Sequence, residues 1–414
     1  MKPKLLTTLA GYDRGQFFHD GVAGITVALV ALPLSIAIAI ASGAPPAAGI
    51  TTAIIGGFLI SLLGGSRVQI GGPTGAFIVL VYDVIASHGY DGLVLATGMC
   101  GIILIVAGLL KAGRLVALVP EPVIDGFTIG IAVVIGASQL KDFLGLDTGP
   151  MPADFLEKLP LLWEARGSFN LSAAVIGLGT ILAIVGLRRL SPRLPGSVIA
   201  VAGASIAVVA LALPVESVTS VYGALPSGLP MPALPEVTTD KLLELLPASA
   251  ALAFLAGVES LLSATVADRL VKGAHRPRAE LLAQGIANFG SSLFGGLPAT
   301  GAIARTATNV RAGGRTPVAG LVHALVIWAM VAFAAPLAGA MVLPALAGLL
   351  LITAWTMAEP ERWGERLRLP RAELALLLLT AALTVLVDLT VAIAVGTILG
   401  LAMRGLAGRG RKAR

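Results

Sequence analysis

Long apolar segments separated by short polar loops recur along the whole 414-residue chain. A helix needs about 20 mostly apolar residues to cross a bilayer, and many of these segments reach or approach that length. Reading the runs between charges and Gly/Pro breaks predicts about fourteen spans. They lie near 21–41, 46–63, 73–87, 92–110, 119–140, 170–187, 196–213, 247–267, 280–295, 299–312, 316–335, 337–357, 371–387 and 389–404. The pattern predicts an all-α polytopic membrane protein.

Composition leads to the same class of protein. The chain is 56% hydrophobic and 13% charged, whereas an ordinary soluble chain is about one quarter charged. This excludes a soluble globular enzyme, a disordered chain and a coiled coil. The single cysteine, Cys100, excludes an intrachain disulfide. Because the four histidines show no metal-ligand spacing, we expect neither a metal nor a cofactor.

The distribution of Lys and Arg predicts how the chain is oriented, because basic residues prefer short cytoplasmic loops. With the N-terminus inside and the spans alternating, only four of the 29 Lys and Arg residues fall in outer loops and one falls in a span. The outer four are Lys141, Lys158, Arg166 and Lys241, and the one in a span is Arg305. We expect an inner (plasma) membrane protein with an even number of spans and both termini in the cytoplasm. The net charge of +6 is then a topology signal and does not indicate a nucleic-acid partner.

The spans divide into two groups of about seven. We expect a cytoplasmic segment over 1–20, a first repeat over 21–213, an outer loop over 214–246, a second repeat over 247–404 and a cytoplasmic tail over 405–414. A second long outer loop is expected over 141–169. The basic tail also favours two short helices at the end of the chain over one long helix across Asp388.

Two short stretches resemble each other. Residues 71–76 read GGPTGA and open the third span, and residues 295–302 read GGLPATGA and open the tenth. Each is the third span of its half, and an odd number of spans per half makes the halves inverted in topology. Short, Gly/Pro-interrupted segments at matching positions of two halves indicate the binding site of a transporter.

Helix starts inside the membrane have a defined chemistry. A helix that starts there directs free N–H groups and a positive dipole end into the cavity it faces. Two opposed starts would form an anion site from backbone alone. The alternative is that both stretches are ordinary Gly/Pro kinks or tight helix contacts.

Ionisable residues within spans are functional hypotheses by default, since their insertion is costly. Arg305 lies about one turn into the tenth span and would favour an anion near the helix start. The alternatives for Arg305 are a structural ion pair or a snorkelling side chain.

Glu259 lies in the eighth span with Ser263 four residues later on the same face. A carboxyl in the membrane interior can take up a proton, which predicts proton coupling through Glu259. The alternatives are that Glu259 pairs with Arg305 in the empty state or is a fixed structural carboxylate. Gln284 and Asn288 share a face of the ninth span and are expected to form interhelical hydrogen bonds.

Several motifs make the sequence resemble a bacterial member of the SulP anion-transporter family, the relatives of the sulfate permeases and prestin. They are GITVALVALPLSIA at 24–37, GPTG at 72–75, VPEPVIDGF at 119–127, IART at 303–306 and GGRT at 313–316. The resemblance runs from about residue 13 to residue 404. Most members continue into a cytoplasmic STAS domain. This sequence ends at Arg414, shortly after the last span, so we expect the transmembrane part without a STAS domain.

The resemblance implies a 7+7 inverted repeat, with a core domain of spans 1–4 and 8–11 that moves against a gate domain of spans 5–7 and 12–14. Short strands and half-helices are expected at spans 3 and 10, with the substrate between them. By motif match, Thr74 and Gly75 would lie at one helix start and Ala304 and Arg305 at the other. The predicted substrate-binding residues are these four together with Ala76, Gly301, Ala302 and Ile303. Glu259 matches an acidic position that family members resembling sodium–bicarbonate symporters use near the cation site, and Glu259 with Ser263 is the predicted proton-coupling pair. Where some relatives have a hydroxyl beside the arginine, this chain has Ala304.

We therefore predict a secondary active transporter for an inorganic anion such as sulfate or bicarbonate, or for a small dicarboxylate. The expected mechanism is proton-coupled symport by alternating access, with an elevator-like core movement. The expected partners are the anion, H⁺ and the lipid bilayer, with a homodimer as a candidate assembly. The alternatives are a passive anion channel and a nucleobase permease of the same fold, although a neutral base needs no buried cation. An enzyme is not expected, because no nucleophile–base pair or metal set occurs in the spans.

Overall fold

The computed structural model describes residues 2–111, 119–149, 151–152, 154–191, 195–387 and 389–412. The predicted helix break at Asp388 lies outside the described residues, as do Arg114, Arg193 and Arg414 of the predicted cytoplasmic loops and tail. The described chain is almost entirely helical, with two short strands.

The first half contains nine helices among its described residues. They are α1 (Lys4–Thr8), α2 (Arg14–Ala41), α3 (Pro46–Thr51), α4 (Gly57–Leu63), α5 (Ile78–Leu109), α6 (Glu121–Leu144), α7 (Phe155–Glu164), α8 (Leu171–Leu190) and α9 (Gly196–Ala210). A π-helical turn, Thr52–Gly56, joins α3 to α4, and 3₁₀ turns cover Gly75–Phe77 and Ala165–Ser168. Strand β1 is Gly71–Gly72.

The second half also contains nine helices in its described residues. They are α10 (Val218–Tyr222), α11 (Thr239–Val271), α12 (Pro277–Leu293), α13 (Ile303–Arg311), α14 (Val318–Gly339), α15 (Leu343–Met357), α16 (Trp363–Arg366), α17 (Arg371–Leu386) and α18 (Leu389–Lys412). A 3₁₀ turn, Pro360–Arg362, precedes α16, and strand β2 is Thr300–Gly301.

The predicted spans correspond to these helices. Among the described residues, eight helical stretches are at least 18 residues long and apolar enough to cross a membrane. Two shorter apolar helices, Gly196–Ala210 and Val391–Met403, cover further predicted spans. The third and fourth predicted spans fall on one stretch that breaks at Gly89, where φ is 72°. Only glycine adopts this conformation without strain, so the break separates two helices as the sequence predicts.

The ends of the helices differ from the predicted boundaries. Within the predicted outer loops the chain forms the amphipathic helix α7 and the short helix α10. Helix α11 begins at Thr239, inside the predicted loop 214–246, and the Thr238 hydroxyl caps it by accepting from the Lys241 N–H over 3.3 Å. Hydropathy locates the part of a helix that lies in lipid, and it misses polar turns that extend into water.

The helices pack in two groups. One group contains α2–α5 and α11–α14, with α5 against α12, α2 against α14 and α11 against both α5 and α13. The other contains α6, α8, α9, α15, α17 and α18, with α6 against both α15 and α17. These are the spans that the resemblance assigns to the core and gate domains, and each group takes helices from both halves of the chain. We call them the core group and the gate group.

Candidate functional site

Strands β1 and β2 join the two matched Gly/Pro segments. They pair antiparallel, with Gly71 opposite Gly301 and Gly72 opposite Thr300. Glycine is required here by space, since a Cβ on Gly301 would lie 1.4 Å from Nε2 of Gln69. Extended backbone at this depth is tolerated only where protein or a cavity surrounds it, and all four strand residues are buried. The predicted short strands at the third and tenth spans are confirmed.

A helix starts immediately after each strand. Thr74 precedes the 3₁₀ turn that leads into α5, and Ala302, whose N–H donates to the Ile70 carbonyl over 2.8 Å, precedes α13. The first N–H groups of a helix have no acceptor within it. Ile303 and Ala304 are exposed at the start of α13. The free backbone donors in the first turn of α13 therefore include those of two exposed residues.

Gly75 lies where the core group meets the gate group. A Cβ on Gly75 would contact Met357 Sδ at 3.3 Å and Ile135 Cδ1 at 3.5 Å. Ile135 belongs to α6 and Met357 to the end of α15, both in the gate group. The start of the third span therefore faces the boundary between the two groups.

Arg305 is a buried cation without a carboxylate partner among the described residues. Its side chain is 2% exposed, and its Nη2 donates to the Ser35 hydroxyl over 3.1 Å. Nε and Nη1 have no hydrogen-bond partner in the part of the chain that the structure describes. The guanidinium lies against β1, where a Cβ on Gly72 would be 2.3 Å from Nη1. The positive charge is thus located behind the strand pair and close to both helix starts, and it is not a snorkelling side chain.

Glu259 contacts the other helix start. Its Oε2 accepts a hydrogen bond of 2.8 Å from the Thr74 hydroxyl, so the predicted alternative of a Glu259–Arg305 pair is not what the structure shows. Ser263, one turn later, lies 3.4 Å from the Thr306 hydroxyl. Thr306 in turn accepts from the Ile70 N–H over 3.1 Å. Glu259 therefore belongs to the third-span side of the site and Ser263 to the tenth-span side.

Ala76, Gly301 and Ala302, all predicted to bind substrate, have no side chain that could reach an anion. Ala76 is 2% exposed and packs into the hydrophobic core, and Ala302 is 7% exposed. Gly301 is occupied in the strand pair. These positions can contribute only backbone groups, whereas Thr74, Ile303 and Ala304 are at least partly accessible.

Glu280 is a central residue that the sequence analysis did not single out. It is fully buried in the first turn of α12. Its Oε2 accepts from the N–H groups of Gly65 (2.8 Å) and Ser66 (3.1 Å). Its Oε1 accepts from the Ser260 hydroxyl and from Nε2 of Gln284, both over 2.9 Å. Four donors to one carboxylate fix α4, α11 and α12 relative to each other.

The polar face of α12 also forms hydrogen bonds with the backbone that leads into the tenth span. Asn288 Nδ2 donates to the Ala299 carbonyl and Asn288 Oδ1 accepts from the Ala299 N–H, over 2.8 and 2.9 Å. Asn288 thus forms two hydrogen bonds with the backbone beside β2. The expected interhelical hydrogen bonds of Gln284 and Asn288 are not found among the described residues, since Gln284 bonds Glu280 in its own helix and Asn288 bonds the loop at Ala299.

Two discontinuous helices that meet at a buried strand pair, in two halves of opposite topology, define a membrane transporter with an inverted repeat. The sulfate permease family model matches residues 17–382. The chain belongs to this family.

Individual relatives cover most of the chain. A putative sulfate transporter, YvdB of Bacillus subtilis, is 42% identical over 94% of this chain and 74% of its own length. The bicarbonate transporter BicA of Synechocystis is 34% identical over 91% of this chain and 68% of its own length. The solved transmembrane domain of a cyanobacterial bicarbonate transporter BicA superposes with a TM-score of 0.82 and 31% identity, covering 92% of this chain and 98% of that one.

A more distant solved structure shows the same fold. The murine Solute Carrier 26 family member A9 anion transporter in its inward-facing state has a TM-score of 0.87 at 16% identity, over 98% of this chain and 71% of that one.

Proposed function

We propose that the protein is a secondary active transporter of a small anion, and that the anion binds between the starts of the third and tenth spans. One observation carries this proposal: Arg305 is a buried cation that forms no salt bridge with any described residue. An unpaired charge in an apolar interior is costly, and a bound anion would supply the missing counter-charge.

The proposed site uses few side chains. The N–H groups at the starts of the Gly75 turn and of α13 would donate to the anion, with the positive ends of both helices directed at it. Thr74, Gly75, Ile303 and Ala304 would line the site, while Ala76, Gly301 and Ala302 would shape its backbone. Arg305 would act from behind β1 through its charge, because its guanidinium packs against Gly72.

The relatives support a small oxyanion as substrate. YvdB is named a putative sulfate transporter and BicA a bicarbonate transporter. Sulfate and bicarbonate are both small anions that N–H donors and a guanidinium can bind. A small dicarboxylate offers the same chemistry at one end. A neutral nucleobase would leave the charge of Arg305 unpaired.

Coupling to protons is proposed through Glu259. This carboxyl lies within the membrane-spanning helix α11 and has one side-chain partner, the Thr74 hydroxyl. A carboxyl that can hold or release a proton next to the anion site would link proton transport to anion transport. The reason is that the anion and the proton neutralise each other's charge in the membrane interior. Ser263 would assist from the next turn of the helix.

The proposed movement is an elevator-like shift of the core group against the gate group. The two helix starts, Glu259 and Arg305 all belong to the core group, whereas Ile135 and Met357 of the gate group face Gly75. A shift would carry the whole site past the gate helices without breaking the β1–β2 pair. The bias of Lys and Arg supports placement in the plasma (inner) membrane with both termini cytoplasmic.

Uptake by the purified protein in liposomes tests this function. Labelled sulfate, bicarbonate and a C4 dicarboxylate are offered with and without an inward proton gradient. We expect saturable uptake of at least one anion, faster with the gradient, and exchange against unlabelled anion inside. Flux that neither saturates nor exchanges would indicate a passive channel, and the absence of gradient-sensitive uptake of any anion would overturn the proposal.

A further inference from the structure

A histidine outside the proposed site is buried without a partner. His323 lies on α14 in the core group and is fully buried. Neither Nδ1 nor Nε2 has a hydrogen-bond partner among the described residues. Burying a polar group without a hydrogen bond costs stability, and native proteins satisfy nearly all such groups through protein or ordered water. The missing partners of this buried imidazole therefore require a physical explanation.

The imidazole lies along the same strand as Arg305. A Cβ on Gly57 would be 3.6 Å from Cε1 of His323 and 3.0 Å from the carbonyl oxygen of Gly71. The next strand residue, Gly72, packs against Nη1 of Arg305. His323 and Arg305 are also close enough to interact electrostatically. The two side chains therefore flank adjacent residues of β1.

A serine on the neighbouring helix completes the cluster. The Ser61 hydroxyl is buried and has no partner among the residues that the structure describes, and it faces Gly320, one turn before His323 on α14. Helices α4 and α14 thus pack through two glycines, with His323 over Gly57 and Ser61 over Gly320. No acidic residue takes part in this cluster among the described side chains.

The donors and acceptors in this cluster are complementary. Arg305 has only donors, and two of its nitrogens, Nε and Nη1, are unused. A neutral imidazole offers one acceptor and one donor, and a serine hydroxyl offers both. The groups are not within direct hydrogen-bonding reach of each other, so a bridge between them needs a small molecule with both functions. Water meets this requirement where several polar partners converge.

We propose that His323 and Ser61 hold ordered water that accepts from the free N–H groups of Arg305, which makes His323 a positioning residue for the anion site. Ser35 fixes Nη2 from one side, and the His323–Ser61 water site fixes the guanidinium from the other. This inference rests on the proposed function, because it assigns to the cluster the task of holding Arg305 for the anion.

The test compares His323→Leu, His323→Asn and Ser61→Ala in liposome uptake of labelled sulfate and bicarbonate. Leucine removes the acceptor, whereas asparagine retains an acceptor and a donor. We expect His323→Leu to raise KM about tenfold, as the loss of one hydrogen bond to a charged group would, with little change in Vmax. His323→Asn should restore most of the affinity. Ser61→Ala, which creates almost no cavity, should raise KM by a smaller factor.

Two results would overturn the inference: an unchanged KM in both His323→Leu and Ser61→Ala, or equal impairment of His323→Leu and His323→Asn with wild-type KM in Ser61→Ala. If wild type takes up neither anion, the proposed function fails, and the inference is tested separately by an electron cryomicroscopy map that resolves ordered water. Density bridging His323 and Arg305 in wild type, and lost in His323→Leu, supports it. A dry cluster contradicts it.

Discussion

The hydroxyl of Thr74 donates to Oε2 of Glu259 over 2.8 Å and joins the start of the third span to the middle of the eighth. Arg305, on the opposite helix start, makes no such contact with any acidic residue that the structure describes. The carboxyl is therefore bonded to the helix start of the third span, while the cation belongs to the helix start of the tenth. Under the proposed mechanism, an anion and a proton would then bind to the same core group without being replaced by an internal ion pair.

Glu259→Gln separates proton coupling from anion binding. The glutamine carbonyl can still accept from Thr74, so the local geometry is retained while the ability to carry a proton is lost. We expect anion exchange in liposomes to continue and stimulation by a pH gradient to disappear. Thr265→Ala is the matched control on the same helix, because that hydroxyl bonds only to the Leu261 carbonyl one turn earlier. Retained proton stimulation in Glu259→Gln would remove this residue from the coupling mechanism.

Arg305→Ala should weaken anion binding. Its buried charge acts on the anion from behind β1, and a contribution of about 1.5–3 kcal/mol, as for a hydrogen bond to a charged group, would raise KM about 10- to 100-fold. Arg305→Lys keeps the charge but loses the planar guanidinium, so its KM should lie between those of wild type and Arg305→Ala. Arg311→Ala, at the exposed end of the same helix, is the control and should leave KM unchanged. A wild-type KM in Arg305→Ala would locate the anion elsewhere.

Gly72→Ala should disrupt the site through the guanidinium. Its φ is 151° and its Cβ would lie 2.3 Å from Nη1 of Arg305, so the arginine or the strand must shift. We expect loss of anion uptake with a protein that still assembles in the membrane. Gly203→Ala on α9, where nothing lies within 4 Å, should transport normally and melt at the same or a higher temperature. Normal uptake by Gly72→Ala would show that the position of Arg305 is not critical.

Glu280→Gln should act mainly on the stability of the fold and have little effect on which anion is transported. An amide offers one acceptor in place of two, and it directs its NH₂ group at donors that the carboxylate now accepts from. We expect a loss of about 1–3 kcal/mol, measured as a lower melting temperature in detergent. Glu373→Gln, exposed in the first turn of α17, provides the comparison. Equal melting of the two variants would contradict a central role for Glu280.

Much of the fold could be predicted from the sequence because lipid makes the pattern strong. Apolar length and Gly/Pro breaks located the spans, and the matched GGPTGA and GGLPATGA segments located the strand pair. The polar ends of the helices were missed. Helix α11 starts at Thr239 because of a Thr238 cap, which hydropathy does not register.

The site was predictable where it depends on charge inside a span, as with Arg305 and Glu259. Glu280 and His323 were not. The donors to Glu280 come from the backbone at Gly65 and Ser66 and from hydroxyl and amide side chains on α11 and α12, so no complementary charge in the sequence reveals the contact. His323 is identified only by what surrounds it, which a single sequence does not record.

The most direct measurement of the central claim is counterflow of labelled sulfate and bicarbonate in liposomes that hold wild type or Arg305→Ala. We predict that wild type accumulates one of these labelled anions transiently against an excess of unlabelled anion inside, with saturation. Arg305→Ala should require a much higher anion concentration for the same rate. Absence of counterflow for both anions in wild type, or identical concentration dependence in the two proteins, would contradict anion transport at this site.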